Sequence, residues 1–512
     1  MGRMKCHSCG ADSGPGVAVC PKCGLTQSTQ VVPGAGFNRD VTRYLCAALQ
    51  TDAGLNHYAY KKILREHYRA IASSPGVDLV TVLKYGLAAR GRQLTRDALL
   101  VVFLLIGVAF LGNENPRGVL LALFAGWAVT VVESWVAHYG VLAEHLRRNT
   151  FNPAGASAPA SERVRARLEA IAEHNLGNTT VHTDYGPFAG YGIPFENWSF
   201  TLNIATPVED EEVIEFTTAE LNDFVANAVR GVGLPGVHVD DRVFVSGQDL
   251  LYGLDSSVKK AILPNELAAP ASRIGEAEIA RLREDSLSRA RPYLVIRVAG
   301  WNGELVVTMF LRLAMMPRKD QLYVEMNYSL LLPIQERYKQ VDRLLSTPTG
   351  TQIFRMLGSS LVKLVPTTVG AFVRIVDVVF SPLEELLSRV REARAIKYDR
   401  SFNYGAATSL REKAADGRFH RHFQNLDKEM YAKVAERKVV EALEEFLDDH
   451  NIDTSDLRER QTTILNNGVY VSGQGSVNAG SLAVGSNAIA NTFARARNTL
   501  SGPGAAAQSR KK

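Results

Sequence analysis

Residues 97–140 read DALLVVFLLIGVAFLGNENPRGVLLALFAGWAVTVVESWVAHYG. Two apolar runs, 98–112 and 118–132, are separated only by the polar connector 113–117, NENPR. An α-helix rises about 1.5 Å per residue and a bilayer core is roughly 30 Å thick, so one span needs about 20 residues. Each run reaches that length with its flanking residues. The pattern therefore predicts a transmembrane helical hairpin over residues 94–143.

The residues that flank the two runs suit a membrane boundary. Arg96 can extend its guanidinium to the headgroups, and Glu133 would lie near an interface, where a carboxylate costs less than at the bilayer centre. Trp135 and Tyr139 supply aromatic rings at the same end. Because each uninterrupted run is short, a buried helical hairpin in a soluble domain is the alternative interpretation.

The distribution of arginines predicts the orientation of the hairpin. Three arginines precede it, Arg90, Arg92 and Arg96, and two follow it, Arg147 and Arg148. The connector contains one, Arg117. The positive-inside rule then places both termini in the cytoplasm of a multi-pass cell-membrane protein. Residues 1–5 lead into cysteines and not into an apolar run, so no signal peptide is expected.

Composition points to several domains and argues against a nucleic-acid partner. The chain has 512 residues, 46% of them hydrophobic, and a net charge of +5 that is too small and too spread out for a nucleic-acid surface. Residues 37–96 contain ten Lys and Arg against four Asp and Glu. Anionic lipid would attract this juxtamembrane segment, which we expect to be helical over 37–93.

Two CxxCG motifs near the start indicate a metal site. Cys6 and Cys9 form the first motif, and Cys20 and Cys23 form the second. Four thiolates match the tetrahedral coordination of Zn²⁺, and binding of the ion can fold so small a unit. Residues 1–26 therefore resemble a short zinc ribbon, with a redox pair as the alternative. Residues 27–36 read as a linker.

Alternating patterns beyond the hairpin predict a sheet in residues 161–334. Strands are expected at 198–204, 213–216 and 237–245, and an antiparallel meander at 293–299, 305–313 and 322–330. Thr217 and Glu220 have the spacing of a capping box that opens a helix, and Asp240-Asp241 reads as a turn. This segment is interpreted as an α+β domain.

Residues 335–465 read as a helical region. Residues 369–380 are very apolar but carry Arg374 and Asp377, so a buried core helix is expected there, with a helix on the membrane surface as the alternative. The tail, 466–512, is rich in Gly, Ser and Asn with interspersed Val, Leu and Ile. It can mediate self-association or bind a protein partner, or it can be a disordered low-complexity segment.

The fold class is thus a multidomain chain. It comprises a small zinc ribbon, a helical segment, a transmembrane helical hairpin, an α+β cytoplasmic domain with an antiparallel sheet, a helical C-terminal part and a low-complexity tail. No phosphate loop, GxSxG, HExxH or kinase signature occurs, so no catalytic or cofactor-binding residue is nominated. Gly190 and Gly192 lack the strand-loop-helix frame of a phosphate loop. His420, His422 and Asp427 are a weak metal candidate because Arg418 and Arg421 surround them.

Four features together resemble a group of uncharacterised actinobacterial membrane proteins. They are the CxxCG motifs, the hairpin, residues 185–190 (YGPFAG) followed by 198–200 (WSF), and residues 464–468 (ILNNG). The resemblance implies the domain architecture described above, but no known activity comes with it. The expected function is a non-enzymatic membrane-anchored scaffold or sensor. The alternatives are a membrane-tethered enzyme, or a zinc-ribbon nucleic-acid binder, which has only Arg3, Lys5 and Lys22 to contact phosphates.

Overall fold

The computed structural model describes most of the chain between the two terminal segments. It covers residues 38–459 except 158, 160, 210, 235, 345–347 and 407, together with two short antiparallel strands, β1 (Met4–Lys5) and β2 (Asp12–Ser13). Cys6, Cys9, Cys20 and Cys23 lie outside the described residues, and so do residues 27–36 and 466–512. The zinc site and the role of the tail stay predictions.

Helices make up the next part of the chain. They are α1 (Arg39–Thr51), α2 (Ala53–Ala59), a π-helical turn (Tyr60–Leu64), α3 (Leu79–Gly112), α4 (Pro116–Trp135), a second π-helical turn (Val136–Leu142) and α5 (Ala143–His145). Asp78 begins α3 by accepting a hydrogen bond from the Thr81 amide, as a helix-starting aspartate does. α3 is therefore one continuous helix from the juxtamembrane segment to the connector.

α3 and α4 form the expected hairpin, and its apolar side chains are exposed. Leu105, Leu111 and Leu121 are each more than 60% exposed. Apolar side chains in such numbers need an apolar environment that the described part of the protein does not supply. By length and composition, three helical stretches of the described residues qualify as membrane spans: Leu79–Gly112, Pro116–His145 and Gly350–Asp399. They indicate that the protein associates with a membrane.

A six-stranded mixed sheet follows the hairpin. The elements in chain order are a 3-10 turn (Pro153–Gly155), α6 (Glu162–Asn175), β3 (Thr179–His182), β4 (Ile193–Asn203), α7 (Thr218–Arg230), β5 (Val237–Ser246), α8 (Asp249–Tyr252), α9 (Ser256–Ile262), α10 (Glu276–Glu284), β6 (Arg291–Gly300), a 3-10 turn (Trp301–Gly303), β7 (Leu305–Met315) and β8 (Gln321–Leu331). The strand order is β3-β5-β6-β7-β8-β4. The capping box of Thr217 and Glu220 is confirmed.

The sheet corrects three expectations from the sequence. It is mixed and not purely antiparallel, because β3 pairs parallel to β5 while the other neighbours run antiparallel. Residues 213–216 are not a strand, although Val213 and Phe216 still pack against the core. Asp240 and Asp241 lie inside β5 and pair with β6, where Arg297 and Arg283 bind their carboxylates. The predicted turn was wrong because arginines neutralise these two aspartates within the sheet.

Helices complete the chain after the sheet. A 3-10 segment (Glu336–Arg343) leads to the 45-residue helix α11 (Gly350–Arg394), a π-helical turn (Ala395–Asp399), α12 (Leu410–Ala414) and α13 (His422–Asp449). Residues 369–380 are part of α11, and Val369, Phe372 and Val379 are each more than half exposed. The expectation of a buried core helix there was therefore wrong.

Two hydrophobic cores join segments that are far apart in the sequence. In the first, α7 and α13 cover the sheet, and Val225 and Val439 meet strand residues such as Val307 and Met326. In the second, α1 packs with the start of α3, with α6 and with the 3-10 segment through residues such as Leu45 and Tyr338. Residues before and after the hairpin, and residues before and after α11, thus share the same folded body.

Candidate functional site

Charged side chains cluster where α11 crosses the hairpin. Asp97 on α3 is completely buried and accepts two hydrogen bonds from Arg374 on α11, with Nε–Oδ2 at 2.6 Å and Nη2–Oδ1 at 3.0 Å. Arg96 adds a third contact, Nη2–Oδ1 at 2.7 Å. A buried carboxylate is tolerated only when paired in this way. These contacts fix α11 to the start of the apolar part of α3.

Glu133 on α4 extends the cluster across the hairpin. Its Oε1 accepts from Arg92 Nε at 3.1 Å, and its Oε2 accepts from Arg96 Nη1 at 3.4 Å. Arg92 Nη1 also donates to Gln50 Oε1 of α1 at 2.9 Å. The cluster therefore holds three guanidinium groups and two carboxylates, an excess of one positive charge, and links the hairpin to the neighbouring helices.

Two adjoining cavities open beside this cluster. The larger has a volume of about 630 Å³ and the smaller about 370 Å³, and five residues line both: Ser134, His138, Gln340, Leu344 and Lys363. The cationic residues around them are Arg96, Arg337, Arg343, Arg355, Lys363 and Arg374, whereas the carboxylates are Asp52 and Glu133. We call this pair of cavities the basic cleft. Its electrostatic potential favours an anion.

Two exposed cations line the smaller of the two cavities. Among the described residues, neither Arg355 nor Lys363 has a carboxylate within ion-pair distance. They lie eight residues apart on α11, with Ser359 midway, so the helical repeat places all three on one face. Arginine and lysine arranged in this way match the oxygens of a phosphate or carboxylate group.

A buried hydroxyl supports the same interpretation independently. Ser360 lines the larger cavity and is 2% exposed, yet its Oγ has no hydrogen-bond partner among the described residues. An unpaired buried polar atom costs free energy of about 1–3 kcal/mol, so such atoms normally have a partner. A ligand in the basic cleft would supply that partner.

The two carboxylates of the basic cleft are already engaged. Asp52 accepts hydrogen bonds from the Gly54 and Leu55 amides as the cap of α2, and from Tyr338 Oη at 2.8 Å. Burial, reinforced by this hydrogen bond, raises the pKa of Tyr338 above its ordinary value. Glu133 is held by two arginines, as described above. Both carboxylates that line the cleft are therefore held by donors among the described residues.

An aromatic pair lies at the edge of the basic cleft. The rings of Trp135 and Tyr139 are 4.9 Å apart at the end of α4, and Tyr139 lines the smaller cavity. Tyr139 Oη also donates to Gln352 Oε1 of α11 at 3.3 Å. Tryptophan and tyrosine concentrate at the depth of lipid headgroups.

The weaker sequence candidates are not brought together as sites. His420 pairs with Asp416 at 3.0 Å, whereas the Asp427 carboxylate accepts from the indole of Trp301, and the ring of His422 lies against Phe423. Across the described residues, no group of three His, Cys, Asp or Glu side chains could hold a metal ion. The four cysteines predicted to bind zinc fall outside that description.

The amides of Gly190 and Gly192 bind an anion supplied by the protein itself. Both donate to Glu412 Oε1, at 3.0 and 2.9 Å, and both have positive φ. A Cβ at either position would lie 2.1 Å from a carbonyl oxygen, so glycine is required. Burial raises the pKa of Glu412, and hydrogen bonds to Ser409 and the two glycines oppose that shift. This loop is therefore closed to an outside phosphate.

Comparison with known proteins assigns the C-terminal part of the chain to a family. Residues 197–478, more than half of the chain, match the AbeC-like domain family. The chain belongs to the AbeC-like domain family. No curated protein and no solved structure matches it. The AbeC-like domain includes β5 to β8, most of β4 and all of α11, and it begins after the hairpin.

The basic cleft lies between the AbeC-like domain and the part of the chain that precedes it. The domain contributes Arg337, Arg355, Ser360 and Lys363, whereas Asp52 and Glu133 come from helices outside it. The cations on α11 were not predicted as site residues, because the apolar run is the dominant pattern of that segment. The four-residue spacing of Arg355, Ser359 and Lys363 is the signal that would have identified them.

Proposed function

We propose that this chain is a membrane-anchored sensor that binds an anionic, phosphate-bearing ligand in the basic cleft. The hairpin anchors it, both termini lie in the cytoplasm, and the AbeC-like domain and the zinc ribbon lie on that side. The observation that supports the proposal is the pair of cations Arg355 and Lys363 on the wall of the smaller cavity, without a carboxylate partner among the described residues. Lys363 also lines the adjoining larger cavity together with the Ser360 hydroxyl, which has no hydrogen-bond partner there.

The position of the basic cleft supports a lipid headgroup as the source of the phosphate. Tyr139 lines it, and the apolar surfaces of α3 and α4 begin next to it. Negatively charged lipids of the cytoplasmic leaflet attract lysine and arginine at this depth. A free phosphate compound offers the same chemistry from the aqueous side.

The engaged carboxylates favour binding over catalysis. Asp52 and Glu133 each accept hydrogen bonds from more than one donor, so the basic cleft presents cations without a free acid–base partner. The proposed role is therefore non-enzymatic. α11 belongs to the AbeC-like domain and also contacts the hairpin through Asp97. A ligand bound in the cleft can therefore transmit a signal from the membrane to the sheet through α11.

A titration of the purified full-length protein in neutral detergent tests this role. Short-chain phosphatidylglycerol, short-chain phosphatidylcholine and inorganic phosphate are compared by microscale thermophoresis. We expect saturable binding of phosphatidylglycerol, at least tenfold tighter than that of phosphatidylcholine. Equal or tighter binding of inorganic phosphate would assign the cleft to a soluble ligand, and no saturable binding of any of the three would overturn the proposal.

A matched pair of variants locates the binding. The double variant Arg355→Ala/Lys363→Ala removes the two unpaired cations and should weaken phosphatidylglycerol binding at least tenfold. Arg318→Ala removes one exposed arginine from the β7–β8 turn and should leave binding unchanged. Equal binding by the double variant and the wild type would place the lipid elsewhere.

A further inference from the structure

The exposed face of α11 is apolar along nearly the whole helix. The stripe includes Phe354, Leu361, Val365, Val369, Phe372 and Val376, each more than a third exposed, and it continues at spacings of three and four residues to Val390. A stripe at this spacing lies on one side of a helix. In the described part of the chain these side chains have no protein cover, and we call them the α11 stripe.

The opposite face of α11 is charged and packs against the protein. Besides the Arg374–Asp97 pair, Asp377 and Glu384 both bind Lys61, at 3.2 and 3.1 Å. A helix that crosses a bilayer is apolar all around or hides its charges among other helices. A helix with one apolar and one charged face can also lie in the interface, with the apolar side toward the acyl chains, so the connections of α11 decide between the two arrangements.

The connections of α11 exclude a single crossing of the membrane. Tyr338, before the helix, is buried in the core of α1 and α3, and Val439, after the helix, is buried on the sheet together with strand residues such as Leu202. One crossing would leave residues 193–343 and residues 396–457 on opposite sides of the bilayer. The shared core of the sheet forbids that separation.

The contacts of α11 with the hairpin start at the end away from the connector and reach the middle of α4. Gln352 meets Tyr139, Trp127 Nε1 donates to the Leu357 carbonyl at 3.3 Å, and Arg374 meets Asp97. Asp97 lies about 24 Å along α3 from the connector, at about 1.5 Å per residue. α11 therefore runs from α4 across to α3, with its Tyr139 and Asp97 contacts at the end of the hairpin away from the connector.

We propose that α11 lies along the cytoplasmic surface of the membrane without crossing it, with the α11 stripe in the acyl chains of that leaflet. The occupant is lipid because the stripe is continuous with the lipid-facing surface of the hairpin. Leu364, Val365 and Val369 line one apolar recess of about 340 Å³ together with Leu104 and Val108 of α3. This inference does not depend on what fills the basic cleft.

Two tag insertions test the topology of α11. An eleven-residue strand of a split fluorescent protein is inserted after Lys319, before α11, or after Gly417, beyond it; both sites are exposed turns. The complementing fragment is expressed in the cytoplasm. Both insertions should give equal fluorescence in intact cells. Fluorescence from only one of the two would show a crossing and overturn the proposal.

Photoreactive lipids test the occupant of the stripe. Phosphatidylcholine carries a diazirine either near the headgroup or near the end of an acyl chain, and labelled peptides are identified by mass spectrometry. Peptides of the α11 stripe and peptides of 101–111 should both be labelled at least fivefold more than peptides of the β7–β8 turn. Phe372→Glu should reduce labelling of the stripe, and Glu384→Gln on the charged face should not.

Two outcomes would contradict this assignment. Labelling of the stripe no higher than that of the β7–β8 turn would mean that lipid does not cover it. Chain-to-chain crosslinking from a photoreactive residue at position 365, without lipid labelling, would assign the stripe to a second copy of the chain.

Discussion

Arg374 holds Asp97 through a two-point contact between residues 277 positions apart, Nε–Oδ2 at 2.6 Å and Nη2–Oδ1 at 3.0 Å. The pair joins the AbeC-like domain to the hairpin at the edge of its apolar surface. Asp97 has no exposed surface, so its buried charge is compensated by Arg374 together with Arg96.

Replacing Asp97 with Ala should detach α11 from the hairpin. Removing one partner of a buried pair costs about 3–5 kcal/mol because the other charge is left without a partner. Trp127 donates to Leu357 of α11. In a background that keeps only Trp127 of the four tryptophans, its fluorescence reports the docking during thermal unfolding in detergent. The double variant Asp97→Ala/Arg374→Ala should recover part of the loss. A stable Asp97→Ala variant with unchanged Trp127 emission would show that the pair does not position α11.

The hairpin was predictable from the sequence because its signal is local. Two apolar runs, a polar connector and flanking arginines lie within about 60 residues, and each contributes a physical constraint of its own. The strands of the meander were predictable for the same reason, since Leu322, Val324 and Met326 alternate with polar residues and are buried.

The role of α11 was not predictable, because its charges have distant partners. Arg374 and Asp377 interrupt an apolar run until Asp97 and Lys61 come next to them in the fold. The parallel pairing of β3 with β5 is likewise decided by tertiary contacts. The basic cleft also escaped the sequence analysis, since its cations come from three separate segments of the chain.

The stability of the loop that leads into α3 should depend on His174. Its Nε2 accepts a hydrogen bond from the Ile71 amide at 3.0 Å, and burial lowers its pKa to about 4. Below about pH 6.5 the unfolded chain binds a proton that the folded chain does not, so the free energy of unfolding falls as the pH falls toward 4. At pH 5 the loss is about 2 kcal/mol, at 1.36 kcal/mol per pH unit.

Two variants isolate this contribution. His174→Gln keeps an acceptor for the Ile71 amide but does not titrate, so the change in unfolding free energy between pH 7 and pH 5 should shrink by about that amount. His422→Gln, at an exposed position, should not alter the difference in unfolding free energy between pH 7 and pH 5. Hydrogen exchange of residues 71–77 at the two pH values provides the measurement. An unchanged pH dependence in His174→Gln would refute the role of His174.

The chain should bind one zinc ion through Cys6, Cys9, Cys20 and Cys23. Cys9→Ser should abolish zinc binding, measured by elemental mass spectrometry of the purified protein. The variant should still resist alkaline carbonate extraction through its hairpin. The two properties separate because the 27–36 linker lets the ribbon fold alone. Cys46→Ala, which alters a buried cysteine of α1, should keep the zinc. Full zinc occupancy in Cys9→Ser would refute the site.

Truncation of the tail should leave the folded part intact and reduce self-association. Removal of residues after Asn466 should change the unfolding free energy by less than about 1 kcal/mol, because the segment has few large apolar side chains to bury. Crosslinking in membranes should show fewer oligomers. A second truncation, after Asn478, keeps the whole family match. If the chain truncated after Asn466 unfolds and the chain truncated after Asn478 does not, residues 467–478 are a structural part of the AbeC-like domain.

The central claim is that the basic cleft holds an anionic phospholipid beside the hairpin. Native mass spectrometry of full-length protein released from nanodiscs, containing equal phosphatidylcholine and phosphatidylglycerol, tests it most directly. The wild type and Arg318→Ala should retain phosphatidylglycerol, whereas Arg355→Ala/Lys363→Ala should lose at least nine-tenths of it. Equal retention by all three proteins, or retention of phosphatidylcholine alone, would contradict the claim.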